Sequence, residues 1–220
     1  MADLFGVLTE RTGLGELDGI PIYSLGIGSI SGWSKILKRA MDFTFSLIGI
    51  IISLPLWIII PISIKLDSRG PVFFIQERVG EKGRIFNMLK FRTMRSDVHP
   101  FDYAPRSPDD PRITRVGRVI RRMSLDELPQ LINVLKGDMS LVGPRPEMPF
   151  IVKKYQDWQR KRLEVKPGIT GLWQIMGRKD LPLHENLEYD FYYIKNQSLL
   201  LDFVILIKTI PQVLLGRGAY

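Results

Sequence analysis

The longest uninterrupted hydrophobic stretch runs from Phe43 to Ile64, 22 positions without a charged side chain, which as a helix reaches about 33 Å at 1.5 Å per residue. That length suffices to cross a bilayer. Pro55 stands near its middle and Pro61 beyond, however, and cations flank both ends: Lys35, Lys38 and Arg39 before, Lys65 and Arg69 after. Such flanks mark the cytoplasmic side, so both ends are expected on one side. A helix broken at Pro55 that dips into one leaflet and returns meets both conditions, with Ser53 available to bind a carbonyl freed by the break. A straight crossing and a buried soluble helix are the alternatives, the last disfavoured because such helices seldom run so long without charge. The run begins too late for a secretory signal and lacks a small-residue cleavage site, so it is expected to be retained.

Beyond the run the period changes. Val72–Arg78 and Arg84–Arg92 read as two strands around the turn Gly80–Gly83, a hairpin. Alternation then puts Lys90 and Arg92 on one face of the second strand. Pro100, Pro105, Pro108 and Pro111 make residues 95–113 a loop. Arg112, Arg115, Arg118, Arg121 and Arg122 recur at helical spacing, a cationic stripe. Phe150–Val165 and Leu199–Leu215 read as amphipathic helices suited to the headgroup plane, with ordinary core packing as the alternative. Pro211 argues against an undistorted span by the second. Residues 1–33 are rich in Gly and Ser, a lead-in; Gly26-Ile-Gly28 lacks the third glycine of a dinucleotide fingerprint, Ser31 standing there.

Composition sharpens this picture in two ways. The net charge of +8 is uneven: residues 1–34 hold one basic residue against four acidic, and the balance from residue 35 onward is +11. A basic body suits anionic headgroups and phosphate-bearing substrates, and nucleic acid equally, so charge alone does not decide the partner. Cysteine is absent and the two histidines, His99 and His184, are isolated, which excludes disulfides, thiol chemistry and a histidine-built zinc site.

The candidate chemistry lies in Ser124–Pro146, SLDELPQLINVLKGDMSLVGPRP. Asp126 and Glu127 are adjacent, and Leu128, Leu131, Ile132 and Leu135 follow at helical spacing. Pro129 fits the first turn of a helix capped by Asp126, because the first amides have no partner to lose; a cap at Ser124 leaves Pro129 where its missing N–H is needed. Carboxylate pairs with anion-holding arginines, here Arg145 between Pro144 and Pro146, are the parts of phosphoryl transfer. A structural cap is the plainer reading of Asp126.

Seven ordered blocks carry a resemblance: KRAMDF (Lys38–Phe43), KLDSRGPVFFIQERVG (Lys65–Gly80), KFRTM (Lys90–Met94), DPRITRVGRVIRR (Asp110–Arg122), Ser124–Pro146, KPGITGLWQ (Lys166–Gln174) and YDFYYI (Tyr189–Ile194). From about Trp33 to Tyr220 the chain resembles the bacterial sugar transferases, monotopic polyprenyl-phosphate glycosyl-1-phosphate transferases. The resemblance implies an α+β, mostly helical monotopic membrane protein with a re-entrant membrane helix, interfacial amphipathic helices and a small β-hairpin. It divides the chain into a lead-in (1–33), the membrane helix (34–66) and a catalytic domain (67–220) on the cytoplasmic face of the bacterial inner membrane.

The implied reaction takes sugar-1-phosphate from a UDP-sugar to Asp126, releases UMP, and hands the group to polyprenyl phosphate. Glu127 is implied as a Mg2+ ligand, with Asp126, or as a base, both roles staying open. Lys90, Arg92, Arg121 and Arg145 are implied to bind phosphates and substrate, and Asp190 to belong to the site. Membrane lipids are implied partners, a homodimer is left open, and nucleic acid is not expected. Leu54 between Ser53 and Pro55 departs from the family's serine directly before the proline. The lead-in and the ending look more like those of larger members with an N-terminal membrane bundle, so the chain is a naturally short form or a fragment. Two other classes are weighed: a membrane-anchored scaffold binding acidic lipid or nucleic acid through its arginines, and a nucleotide-sugar hydrolase without a lipid acceptor.

Overall fold

The charge-free run forms two helices, α1 (Gly32–Ile52) and α2 (Leu56–Asp67), bent by 62° at residues 53–55. The computed structural model describes residues 15–17, 20–22, 32–98, 105, 107, 109–176 and 187–214; Gly26-Ile-Gly28 and both histidines lie outside them. Pro55 removes the amide that would continue the ladder, and the Leu54 amide bonds Ile51 instead of Ile50. The Ser53 hydroxyl lies 3.2 Å from the Ile50 carbonyl and 2.6 Å from that of Gly49, and accepts from Trp57 Nε1 at 3.1 Å, spanning the bend from both sides. Among the described residues no single helix is long and apolar enough to cross a membrane, whereas the bent pair is.

The rest is α+β. Strands β1 (Gly15–Leu17) and β2 (Ile20–Ile22) pair antiparallel within the lead-in. β3 (Phe73–Val79) and β4 (Ile85–Phe91) form the expected hairpin, in register Phe74↔Lys90, Gln76↔Met88 and Arg78↔Phe86. β5 (Ser140–Val142) and β6 (Gly168–Thr170) pair parallel. Around them stand α3 (Arg115–Arg122), α4 (Gln130–Lys136), the short α5 (Pro149–Val152) and α6 (Leu172–Met176), α7 (Glu188–Lys195) and α8 (Leu199–Leu214). The main core joins Phe86 and Met88 of β4, Val134 of α4, Leu141 and Val142 of β5, Tyr193 of α7 and Ile205 of α8. A second cluster joins Ile60 and Ile64 of α2 to Phe91 and to Ile120 of α3.

Three expectations need correction. Phe150–Val165 is not one helix: after α5 comes an irregular stretch and a 3₁₀ turn, Gln159–Glu164, within which Arg162 is buried rather than turned to headgroups. The cationic helix begins at Arg115, because Thr114 caps it through a bond from the Gly117 amide, and Arg112 instead pairs with Asp110 at 2.7 Å. Leu199–Leu214 is helical as read, but its Asp202 is fully buried in the interior.

That aspartate explains how α1 is docked. Lys38 Nζ lies 2.6 Å from Asp202 Oδ2 and donates to the Val142 carbonyl, while Tyr193 Oη donates to the other Asp202 oxygen at 2.7 Å. A buried pair so satisfied is weak evidence of net stabilisation, yet removing one partner strands the other. Lys38→Met is therefore expected to cost about 3 kcal/mol, read as a fall in Tm in detergent, and Lys38→Met with Asp202→Asn to recover much of it. Equal losses in the single and double variants would contradict the role.

Candidate active site

α4 is tied to β4 by one side chain. Asn133, buried on α4, donates Nδ2 to the Asn87 carbonyl at 2.8 Å and accepts from the Leu89 amide at 3.0 Å, doing for the edge of β4 what a neighbouring strand's peptide would do. The next residue of β4 is Lys90, and the segment leading into α4 carries the acid pair. Lys90 Nζ consequently sits 2.8 Å from Glu127 Oε1 and 3.9 Å from Asp126 Oδ2.

The cap reading of Asp126 is corrected here. Leu125–Glu127 is a 3₁₀ turn separate from α4, and Pro129, not Asp126, stands at the start of the helix. Ser124 enters the turn in the left-handed region, φ 53°, a conformation that strains a residue with a side chain. Leu125 and Leu128 pack on the α2–β4–α3 cluster, so the acids between them are fixed beside α2. Asp126 is 9% exposed. Burial pushes its carboxyl up to about 6 against the pull of Lys90, and the neighbouring Glu127 adds to the rise. A carboxylate that gains by spreading its charge onto a new partner is the result.

The other expected residues fall in four places. Arg121 on α3 faces the acids electrostatically and reaches Thr93 Oγ1 at 3.4 Å. Gly117, one turn earlier, lets α3 approach this closely, since a Cβ there would lie 2.0 Å from the Thr93 carbonyl oxygen. Arg92 follows the end of β4 and turns away: its guanidinium binds the carbonyls of Ser68 and Arg69, both at 2.9 Å, fastening the end of α2. Arg145 is half-buried in the β5–α5 connection, within electrostatic range of Arg78. Asp190 is buried behind that connection, its Oδ2 2.7 Å from Arg162 Nε. Ser53 and Pro55 make the bend described above.

Two site residues escaped the sequence reading. Arg78 shares its face of the hairpin with Lys90, a parity readable across the Gly80–Gly83 turn. Its pKa is lowered to about 10, by burial first and then by Arg145, with Glu147 and Glu127 opposing. Arg162 carried no such signal, because its partner is 28 residues away. Among the described residues no cluster of three or more acidic or histidine side chains could hold a metal alone. Asp126 and Glu127 nonetheless offer the one or two carboxylate oxygens that Mg2+ takes when substrate phosphates and water complete its shell.

The raised carboxyl makes a stability prediction. With its folded pKa near 6 and the ordinary value at 3.8, Asp126 contributes to stability fully below about pH 4, and the contribution is lost as pH rises through 6. Without divalent metal, Asp126→Asn is expected to melt higher than the parent at pH 7.5, by about 1–3 kcal/mol, and to lose that advantage near pH 4. A lower Tm at pH 7.5 would contradict the burial penalty.

Comparison with known proteins gives this geometry its family. The model of the bacterial sugar transferases matches residues 33–216. The exopolysaccharide production protein ExoY of Sinorhizobium fredii is 39% identical, over 88% of this chain and 92% of its own length. The undecaprenyl-phosphate glucose phosphotransferase of Komagataeibacter xylinus is 43% identical over 87% of this chain and 38% of its own length. For the undecaprenyl-phosphate galactose phosphotransferase of Salmonella typhimurium the figures are 43%, 85% and 42%. The chain thus spans nearly all of the first relative and less than half of the other two, and on these matches it belongs to the bacterial sugar transferase family.

Proposed function

We propose that this protein transfers sugar-1-phosphate from a uridine-diphosphate sugar to a polyprenyl phosphate, with Asp126 as the nucleophile. The observation that carries the reading is the acid pair held at Lys90: a buried carboxylate of raised basicity beside an ammonium, at the foot of an apolar helix pair. In the first step a carboxylate oxygen of Asp126 forms a bond to the phosphorus that bears the sugar, the bond from that phosphorus to the bridging oxygen breaks, and UMP leaves. In the second, a phosphate oxygen of the polyprenyl phosphate attacks the same phosphorus and Asp126 departs as a carboxylate. Desolvation sharpens the nucleophile, and Lys90 and Arg121 steady charge on the transferring group. Mg2+, held by Asp126 and Glu127, supplies neutralisation of the diphosphate charge.

The same reading places the protein at the cytoplasmic face of the inner membrane, in exopolysaccharide or related glycoconjugate assembly. Ile51, Ile52, Leu54, Ile58, Ile59 and Ile62, on both arms of the bend, are exposed, the kind of apolar surface that marks an interaction site. Sunk into one leaflet, the bent pair sets the acids level with a lipid phosphate. The names of relatives support the acceptor: two are phosphotransferases acting on undecaprenyl phosphate.

The test incubates detergent-solubilised protein with Mg2+, undecaprenyl phosphate and a panel of uridine-diphosphate sugars and measures UMP. Lipid-dependent release that falls by more than about 10³-fold in Asp126→Asn is expected. Release over many turnovers without lipid would make the protein a hydrolase, and undiminished release by the variant would remove Asp126 from the chemistry.

A further inference from the structure

The connection from β5 to α5 carries Arg145 between two prolines, and three consecutive carbonyls of it are gripped. Arg162 Nη2 donates to the Arg145 carbonyl at 3.1 Å, Arg78 Nη1 to the Pro146 carbonyl at 3.1 Å, and the Val79 amide to the Glu147 carbonyl at 2.9 Å. Each grip is itself fixed. Val79 and Arg78 belong to β3, and Arg78 Nη2 is held by Gln76 Oε1 at 2.6 Å. Arg162 is 4% exposed, with Asp190 Oδ2 at 2.7 Å, Glu147 Oε1 at 3.8 Å and its Nη1 donating to the Tyr155 hydroxyl. Asp190, 1% exposed on α7, is ion-paired with Arg162.

By contrast the Arg145 guanidinium, half-buried, finds no ion-pair partner among the described residues, and stands in range of a second cation, Arg78. Arg145 acts on Arg78 as a second cation, against the opposing Glu147 and Glu127, and an anion bound at Arg145 relieves that repulsion. The backbone beneath Arg145 is held at three carbonyls while its guanidinium finds no ion-pair partner among the described residues, the arrangement of a preorganised anion donor.

We propose that Asp190, Arg162 and Arg78 are positioning residues for Arg145: they lock the carbonyls of Arg145 and Pro146 so that the Arg145 guanidinium is held ready for the diphosphate of the donor. Asp190 acts at one remove, by keeping Arg162 in place, and touches neither substrate nor metal. This rests on the transferase reading above. It assigns the three residues to donor binding and leaves the polyprenyl phosphate unaffected by them.

A double-mutant cycle tests it, with UDP as the binding probe in calorimetry and steady-state constants for donor and acceptor alongside. Asp190→Asn and Arg162→Lys, each checked for an unchanged fold by Tm and circular dichroism, are expected to weaken UDP binding and raise the donor KM by about tenfold or more, with the acceptor KM within about twofold. In an Arg145→Met background the same substitutions should add nothing, since the group they position is gone. If Asp190→Asn fails to fold, Arg78→Lys, which keeps the charge and loses the reach, enters the same cycle. Losses that persist undiminished in the Arg145→Met background, or that raise the acceptor KM equally, would overturn the positioning role while leaving the transferase intact. A folded parent that neither binds UDP nor turns over any uridine-diphosphate sugar would instead overturn the reading on which the role rests.

Discussion

One turn of α1 holds the molecule together. Lys38, Arg39 and Asp42 project from it into the body of the protein, and each meets a backbone group that would otherwise be stranded. Lys38 reaches the Val142 carbonyl and Asp202; Asp42 accepts from the Leu141 amide at 3.1 Å; Arg39 donates to the Val134 and Leu135 carbonyls at 2.6 and 2.7 Å. The last two carbonyls are at the C-terminal end of α4, where a helix leaves its acceptors unpaired and welcomes positive charge. The two helices dock differently: α1 is held by these buried polar contacts, α2 by the apolar cluster it shares with Phe91 and Ile120. The same turn governs both β5, which leads to Arg145, and α4, which follows the acid pair.

From there the site is assembled by proxies for backbone. Asn133 stands in for a strand at the edge of β4, which places Lys90 against the acids. Asp67, the last residue of α2, accepts from the Val116 amide at 2.9 Å and so fixes the start of α3, the helix that carries Arg121. Arg92, two residues past Lys90, ties back to the end of α2. The charged groups around Asp126 are thus tied to the bent helix pair through a few hydrogen bonds, and their distance from it is a property of the fold. Burial raises both Asp126 and Asp190 to about 6, but Asp190 is ion-paired with Arg162 while Asp126 stands 3.9 Å from Lys90.

Much of this was legible in the sequence, wherever the cause was local. The bend followed from Pro55 in a charge-free run, with Ser53 in reach of the freed carbonyl. The hairpin followed from alternation on either side of Gly80–Gly83. What could not be read depended on partners far along the chain. Residues 150–165 have a helical mixture of aromatic and basic residues, but Arg162 is drawn inward by Asp190, and no periodicity reports that. Asp126 looks like a cap because Pro129 permits it. The left-handed turn at Ser124, with no glycine to announce it, shifts the acid into a 3₁₀ turn of its own. Lys90 and Arg92 share a parity, yet the strand ends between them, so one serves the acids and the other the end of α2.

The central claim is that Asp126 carries the sugar phosphate between donor and acceptor. Intact-protein mass spectrometry after mixing the enzyme with Mg2+ and its uridine-diphosphate sugar, with no polyprenyl phosphate present, tests it directly. The account predicts an added mass equal to the sugar phosphate, on the peptide bearing Asp126, discharged when the lipid acceptor is supplied. Full turnover with lipid and no adduct without it, under rapid quenching, would mean that the group passes from donor to acceptor in one displacement and that Asp126 is not its carrier.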